Sequence, residues 1–349
     1  MRRQARRDDL LDEFLLRELG TLRRGYAVGL GVLVAVGVAI GATRIGRGSM
    51  SSAMGIITHA RPGWLLVAAV GFAVALLTSA AAWRVGLRAC GGGACFTQVS
   101  ARYAIGSLVN AVAPAHLGGA VRLGLLSRTL PGEDRLWRAG GVGASVAAVR
   151  TLALAALIVA AAGVGRVPAW PAPVLALTVL CLLIACTRIS ERAAGRLASL
   201  LQIFRSCARS PREAASLVAW IGSSFAARLA AAGAVGIALG VPRPVWVALV
   251  LVAAIALAGV LPLTPGNFGA GAGAAALALH GLGVGGATSL ALGLAFQAVE
   301  TFVGMTLGLV GAALLAAPGT QVRRWSFAAA GAAVVLTAAT LGIASVDLV

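Results

Sequence analysis

Lysine is absent from the 349-residue chain, so all 29 basic side chains are arginine, and only 11 side chains are acidic. Charged residues make up 11% of the composition, 59% is hydrophobic, and the mean hydropathy is +0.93. A soluble domain of this length carries about 25% charged residues. The composition therefore excludes a soluble domain and predicts an all-α polytopic integral membrane protein. In such a protein the net charge of +18 indicates anionic lipid headgroups as partners, and no nucleic acid is expected.

Combinations of catalytic or metal-binding residues are missing as well. Among the acidic residues only Glu300 falls inside a predicted span, no nucleophile stands beside a base, and no Walker A loop is present. The five cysteines form neither a CxxC pair nor a zinc-type spacing with histidine; they are Cys90, Cys95, Cys181, Cys186 and Cys207. We therefore expect no enzyme, no metal, no cofactor and no disulfide framework.

Apolar runs of nearly the 20 residues needed to cross a bilayer recur along the chain. They predict about eight spanning helices, at 26–42, 64–82, 139–164, 173–187, 214–239, 245–261, 285–315 and 326–345. Residues 26–345 are thus predicted to form a single transmembrane domain, with the first helix retained and not removed as a signal peptide. Residues 1–25 place apolar side chains at helical spacing beside arginines, which predicts an amphipathic helix on the cytoplasmic membrane face. Residues 188–213 carry six arginines and predict an interfacial helix or basic cytoplasmic loop.

The arginines in the predicted loops and terminal segments are distributed unequally between the two sides of the membrane. A cytoplasmic N-terminus places 22 of them in the cytoplasm and five on the opposite side. Because basic residues concentrate on the cytoplasmic side, this asymmetry predicts an N-in, multi-pass protein of the inner (plasma) membrane.

Two proline-broken segments interrupt the apolar pattern. Residues 96–130 contain short apolar pieces that meet at Pro114. Residues 262–282 contain nearly all of the sequence LPLTPGNFGAGAG (261–273), with Pro262 and Pro265. Proline removes a backbone donor, so such a break inside a bilayer survives only where protein or trapped water satisfies the freed groups. We interpret both segments as re-entrant hairpins in opposite senses, a possible inverted repeat. For the second break, a short polar-side loop remains the alternative.

Three charged residues lie inside predicted spans: Arg150, Arg228 and Glu300. Each costs about 2.5–3.5 kcal/mol on insertion scales unless it is paired or faces a cavity. Glu300 is therefore expected to pair with Arg228 or Arg150. Such a pair could serve simply to lock the helices together. Alternatively, the arginine left out of the pair could be free to bind a lipid phosphate. His116, beside Pro114, is a further candidate for headgroup contact.

Three segments resemble motifs of the lysylphosphatidylglycerol synthase transmembrane family, a flippase-like domain, here without a fused synthetase domain. NAVAPAHLGGAVRLGLL (110–126) resembles its Asn…Pro-x-x-x-Gly-Glu-x-x-Arg segment. SVAAVRTLALAAL, from Ser145, resembles its Ser-x-x-x-Glu-Arg segment, and LPLTPGNFGAGAG resembles Pro-x-x-Pro-Gly-Gly-x-Gly-x-x-Glu. The matching positions are Asn110, Pro114, Gly118, Arg122, Arg150, Pro262, Pro265, Gly266 and Gly269.

The departures from those motifs fall mainly on acidic positions. Gly119, Val149 and Ala272 stand where the family has carboxylates, and Asn267 replaces the second glycine of its Pro-Gly-Gly. The resemblance implies translocation of a membrane lipid. The lost acids favour an anionic phospholipid or a polyprenyl-phosphate-linked lipid, bound by the site residues above together with Arg228 and Glu300. A degenerate paralogue predicts the same losses. The alternative function is a non-transporting scaffold that binds anionic lipid or a partner through its basic loops.

Overall fold

A computed structural model describes residues 47–112, 117–163, 171–190, 199, 201–203, 206, 210–259, 268–317, 320–321 and 323–332. Within these ranges the regular structure is helical, with no strand, so the predicted all-α fold is confirmed. The predicted amphipathic segment 1–25, the first span at 26–42 and most of the last span at 326–345 lie outside the described residues.

Ten helices make up most of the described chain. They are α1 (Arg47–Thr58), α2 (Pro62–Ala89), α3 (Phe96–Val112), α4 (Leu117–Ser127), α5 (Arg135–Gly163), α6 (Pro171–Ser190), α7 (Pro211–Ala238), α8 (Pro244–Ala258), α9 (Phe268–His280) and α10 (Gly286–Leu315). Among the described helices, α2, α5, α7 and α10 are long and apolar enough to cross a membrane. Helices α6 and α8 cover the predicted spans at 173–187 and 245–261, and α8 is shorter than expected at 15 residues.

Two predicted boundaries and one predicted loop differ from the structure. Helix α2 continues past 82 through Arg84 and Arg88, and α5 begins at Arg135 although 135–138 was expected to be loop. Arginine is a good helix former and reaches the interface with its long side chain, so it does not end a helix where it ends an apolar run. Helix α1 lies in a segment expected to be an outer loop.

Prolines and glycines set several helix ends. Helices α2, α6, α7 and α8 each begin at a proline, a residue favoured at the first helical position because its missing N–H would have no partner there. Gly91 and Gly240 follow α2 and α7 with φ of 87° and 68°. In both cases the residue after the glycine donates its N–H back into the last turn, at 2.8 and 2.9 Å, which is the Schellman arrangement.

Helices α2 and α7 pack side by side in antiparallel directions. The Arg61 N–H, just before α2, donates to the Ala238 carbonyl at the end of α7 at 2.9 Å. Further along, a Cβ on Gly71 would lie 3.0 Å from the Ala231 Cβ. Ser79 and Ser224 then share a hydrogen bond of 2.8 Å. Small residues thus bring these two helices close enough for short polar side chains to meet.

Helices α3 and α10 form a second close antiparallel pair. A Cβ on Gly311 would lie 2.6 Å from the Ala101 carbonyl oxygen, and one on Gly308 would lie 2.8 Å from the Ala104 carbonyl oxygen. Two successive turns of α10 therefore rest directly on the backbone of α3, as small residues permit in membrane helices.

The basic segment 188–213 is partly anchored to the protein itself. Leu201 and Ile203 are both buried, and Ile203 belongs to the same cluster as Leu130 and Leu217. The Ser199 hydroxyl donates to the Asp134 carboxylate at 3.0 Å. Helix α6 extends to Ser190, and most arginines of this segment lie outside the described residues.

Both predicted breaks fall between two helices that pack against each other, α3 with α4 and α8 with α9. The second break is shorter than expected. The sequence placed residues through Gly273 in the break, but α9 begins at Phe268, so Gly269, Gly271 and Gly273 are helical. Glycine costs a helix about 1 kcal/mol relative to alanine. Close packing explains why glycine is present at 271, because a Cβ there would collide with the Gln297 side chain.

The α3–α10 contact predicts a sharp response to one methyl group. Gly311→Ala should lower the free energy of unfolding by about 1–3 kcal/mol, because the obstructing atom is a backbone oxygen that cannot rotate away. Thermal unfolding in detergent would measure the change. Gly222→Ala in α7 is the matched control, since its new Cβ would meet nothing within 4 Å. Equal destabilisation by both variants would contradict this packing.

Candidate functional site: an arginine centre

Each of the four long helices carries a polar or charged side chain near its middle. Ser79, Arg150, Arg228 and Glu300 each stand 14–17 residues after the start of helices that are 28–30 residues long. At 1.5 Å per residue this depth corresponds to the interior of a spanning helix. Four helices therefore bring polar or charged groups to one level.

Arg150, from α5, bonds to two hydroxyl groups. Its Nη2 donates to the Ser79 hydroxyl at 2.7 Å and to the Tyr103 hydroxyl at 3.0 Å. Ser79 is held in turn by Ser224 at 2.8 Å, and each serine hydroxyl lies within 2.9 Å of the Ala75 carbonyl. Arg150 is thus fixed in place by neutral groups from α2 and α3.

Arg122, from α4, lies on the other side of Tyr103. Its guanidinium carbon is 3.9 Å from the centre of the phenol ring, which is a cation–π contact. Its Nη2 donates to the Ser107 hydroxyl at 3.1 Å. The Nε of Arg122 is buried and finds no acceptor among the described residues. We define Ser79, Tyr103, Ser107, Arg122 and Arg150 as the arginine centre.

The crossing of α3 and α4 positions Arg122. Gly106 and Gly118 meet backbone to backbone, since a Cβ on Gly106 would lie 2.9 Å from the Gly118 carbonyl oxygen and 2.7 Å from the Arg122 Cβ. A Cβ on Gly118 would collide with the Asn110 amide. The Oδ1 of Asn110 is buried and has no hydrogen-bond partner in the described part of the chain. The first motif therefore forms a tight helical crossing with unused polar atoms.

Of the two partners expected for Glu300, Arg228 and Arg150, the structure pairs it with Arg228. Its carboxylate forms an ion pair with Arg228, from α7, and the two side chains are 29% and 34% exposed. Arg228 is therefore neutralised, whereas neither arginine of the arginine centre contacts a carboxylate of the described residues.

This charge balance suits an anion better than a cation. Arg122 and Arg150 carry delocalised positive charge and planar N–H donors, which match phosphate and carboxylate oxygens. Across the described ranges, no group of three His, Cys, Asp or Glu side chains could hold a metal ion.

The other sequence candidates divide into two sets. Gly118, Asn110, Arg122 and Arg150 converge as described above, and Gly269 lies in the first turn of α9. The remaining candidates lie outside the described residues: Pro114, His116, Pro262, Pro265, Gly266 and Asn267. The second hairpin and Glu300 are connected through α10. Gln297 of α10 lies against Gly271 of α9, one turn before Glu300.

Sequence reasoning missed the neutral members of the centre. Tyr103, Ser79 and Ser107 are not candidates by charge or motif, and Tyr103 stands at the start of a short apolar piece. The available signal was depth: Ser79 and Ser224 fall near the middle of predicted spans, where a polar group needs a partner.

The three positions that lack the family's acids have different surroundings. A Cβ on Gly119 would meet nothing within 4 Å, so this position is open. Val149 is partly buried against the cluster that contains Tyr103 and Val146. Ala272 is 2% exposed, and its Cα would lie 2.8 Å from a Cβ on Gly293. Position 119 is therefore open at its Cβ, whereas position 272 is buried in a close contact between α9 and α10.

Taken together, the helices and the charges define a polytopic membrane protein with a cationic centre among its helices. The chain belongs to the family described as the lysylphosphatidylglycerol synthase TM region, whose model matches residues 26–308. This confirms the resemblance seen in its motifs and identifies a lipid-related transmembrane protein. Comparison with curated proteins finds no match.

The ion pair predicts an asymmetric response to substitution. Glu300→Gln should lower the free energy of unfolding by roughly 1–3 kcal/mol, less than the 3–5 typical of a fully buried pair, because both side chains are partly exposed. Adding Arg228→Met should restore part of the loss, since it removes the charge left without a partner. Thermal unfolding of both single variants and the double variant would measure this. Strictly additive losses would show that the two side chains do not interact.

Proposed function

We propose that this protein binds the phosphate of an anionic membrane lipid at the arginine centre and moves that lipid across the bilayer, as a non-enzymatic flippase-like transporter. The supporting observation is that Arg122 and Arg150 are held in place by neutral groups alone among the described residues. A phospholipid or a polyprenyl-phosphate-linked lipid would supply the missing negative charge.

The count of hydrogen-bond donors supports this proposal. A guanidinium carries five N–H donors. Among the described side chains and carbonyls, Arg150 uses two of them and Arg122 uses one. Leaving donors of a charged group unsatisfied in an apolar setting is costly. An anion with several oxygens would accept the remaining bonds from both side chains.

The helix breaks support movement of the bound lipid and not binding alone. Broken helices line the substrate path in many transporters, because freed backbone groups are tolerated only beside a polar cavity. In this proposal, the hairpins at 96–130 and 262–282 enter the membrane from opposite sides and form an inverted repeat around the centre. The protein lies in the inner (plasma) membrane with a cytoplasmic N-terminus.

Substitution of the two arginines tests the proposal directly. In proteoliposomes, Arg122→Gln and Arg150→Gln should each slow the movement of fluorescent phosphatidylglycerol by about tenfold or more, since a hydrogen bond to a charged group is worth about 1.5–3 kcal/mol. Arg102→Gln is the matched control. Arg102 lies beside Tyr103 in α3, but its guanidinium bonds to the Gln98 carbonyl of its own helix at 3.2 Å.

Parental rates in both arginine variants would contradict lipid movement through this centre. The scaffold alternative predicts the reverse pattern: neutralising the arginines of 188–213 abolishes function while Arg150→Gln is silent. Leu201 and Ile203 of that segment, which are both buried, stay unchanged in such variants.

Restoring an acid at an open position provides a second test. Gly119 and Arg122 are three residues apart on α4 and therefore neighbours on its surface. Gly119→Glu should place a carboxylate within reach of Arg122, compete with the lipid phosphate, and reduce binding of phosphatidylglycerol. Gly119→Gln has the same size without the charge and should bind normally. Equal loss in both variants, measured by lipid binding in detergent, would attribute the effect to size and not to charge.

A further inference from the structure

Tyr103 contacts both arginines of the centre through different parts of its side chain. The ring face lies under the Arg122 guanidinium at 3.9 Å, and the hydroxyl accepts from Arg150 at 3.0 Å. No other residue of the described chain has contacts of this kind with both. Tyr103 is only 4% exposed, so its ring is fixed by packing.

A phenol side chain suits this position for physical reasons. Its ring face carries negative quadrupole density that attracts a cation, and its hydroxyl oxygen accepts a hydrogen bond. A carboxylate would attract the same two arginines but would also neutralise them. Tyrosine holds two like charges near each other and leaves both available to a ligand.

The arrangement also limits the separation of the two guanidiniums. They are joined through one phenol ring and one hydrogen bond, so we expect a single phosphate, with hydrogen bonds of about 2.8 Å, to reach both. The serines act on one arginine each: Ser107 bonds to Arg122, and Ser79 bonds to Arg150. Only Tyr103, among the described residues, can couple the two.

We propose that Tyr103 is a positioning residue that orients Arg122 and Arg150 as one receptor for a single phosphate group. This inference rests on the proposed function, since it assumes that the centre binds a lipid phosphate. Tyr103 makes the contributions of the two arginines to binding interdependent. Its hydroxyl orients Arg150, and its ring orients Arg122.

The experiment measures dissociation constants for phosphatidylglycerol in detergent. Arg122→Gln, Arg150→Gln and the double variant are compared in the parental protein, in the Y103F background and in the Y103L background. Phe72→Leu is the matched aromatic control. Phe72 is also buried, but it packs edge-on against Phe296 at 4.8 Å and contacts neither arginine. Thermal unfolding of every variant separates loss of stability from loss of binding.

With Tyr103 present, the double arginine variant should bind scarcely worse than either single variant, because the loss of either arginine already removes most of the binding. Tyr103→Phe alone should weaken binding about two- to tenfold, the range expected for one hydrogen bond. In that background Arg150→Gln should cost less than in the parental protein, by the same two- to tenfold factor, because part of the Arg150 contribution is already lost. In the Y103L background both effects should shrink and become additive.

The outcomes separate this inference from the proposed function. If neither arginine substitution weakens binding in the parental protein, the proposed function fails, and Tyr103 has nothing to position. If both weaken binding but remain equally costly in the Y103F and Y103L backgrounds, the positioning role of Tyr103 is overturned and the phosphate site stands. A loss of affinity in Phe72→Leu equal to that in Tyr103→Leu would also overturn it, by attributing the effect to packing.

Discussion

The constraint on which the site depends is the cost of placing guanidinium charges among apolar helices. A charged side chain at this depth costs several kcal/mol unless it finds a partner. The protein meets the cost in two ways. Arg228 is neutralised by Glu300, whereas Arg122 and Arg150 are held by a ring, a phenol hydroxyl and serine hydroxyls. The first arrangement cancels a charge, and the second keeps two charges available.

Small residues at the helix contacts make the second arrangement possible. A serine side chain is short, so its hydroxyl reaches a neighbouring helix only where the backbones approach closely. Helices α2 and α7 do so at Gly71, which places Ser79 against Ser224 and under Arg150. Helices α3 and α4 do so at Gly106 and Gly118, which brings Arg122 over the ring of Tyr103. Gly71, Gly106 and Gly118 thus set the geometry of the two arginines.

Hydropathy was sufficient to predict the helical fold and most of the described spans, because a helix needs about 20 predominantly apolar residues to cross the hydrocarbon core of a bilayer. The short apolar pieces on either side of Pro114 predicted the first helix break. The family motifs pointed to Arg122 and Arg150 as site candidates, and depth within a predicted span pointed to Arg150 as well. Hydropathy could not choose between Arg150 and Arg228 as the partner of Glu300, since that choice depends on how α5, α7 and α10 are arranged in space. It also missed Tyr103, because a neutral residue that supports charges has no signal of its own.

The two hairpins share a layout but differ in chemistry. In the first, Arg122 carries a charge and Gly119 leaves space where the family has an acid. In the second, the equivalent position is Ala272, which is packed against α10 at Gly293. A side chain as long as glutamate would force α9 away from α10 there. The loss of the acid at 272 is therefore accompanied by a close helix contact, whereas the loss at 119 leaves an open position beside an arginine. The arginine centre accordingly includes a residue of the first hairpin, and the second hairpin packs on the helix that carries Glu300.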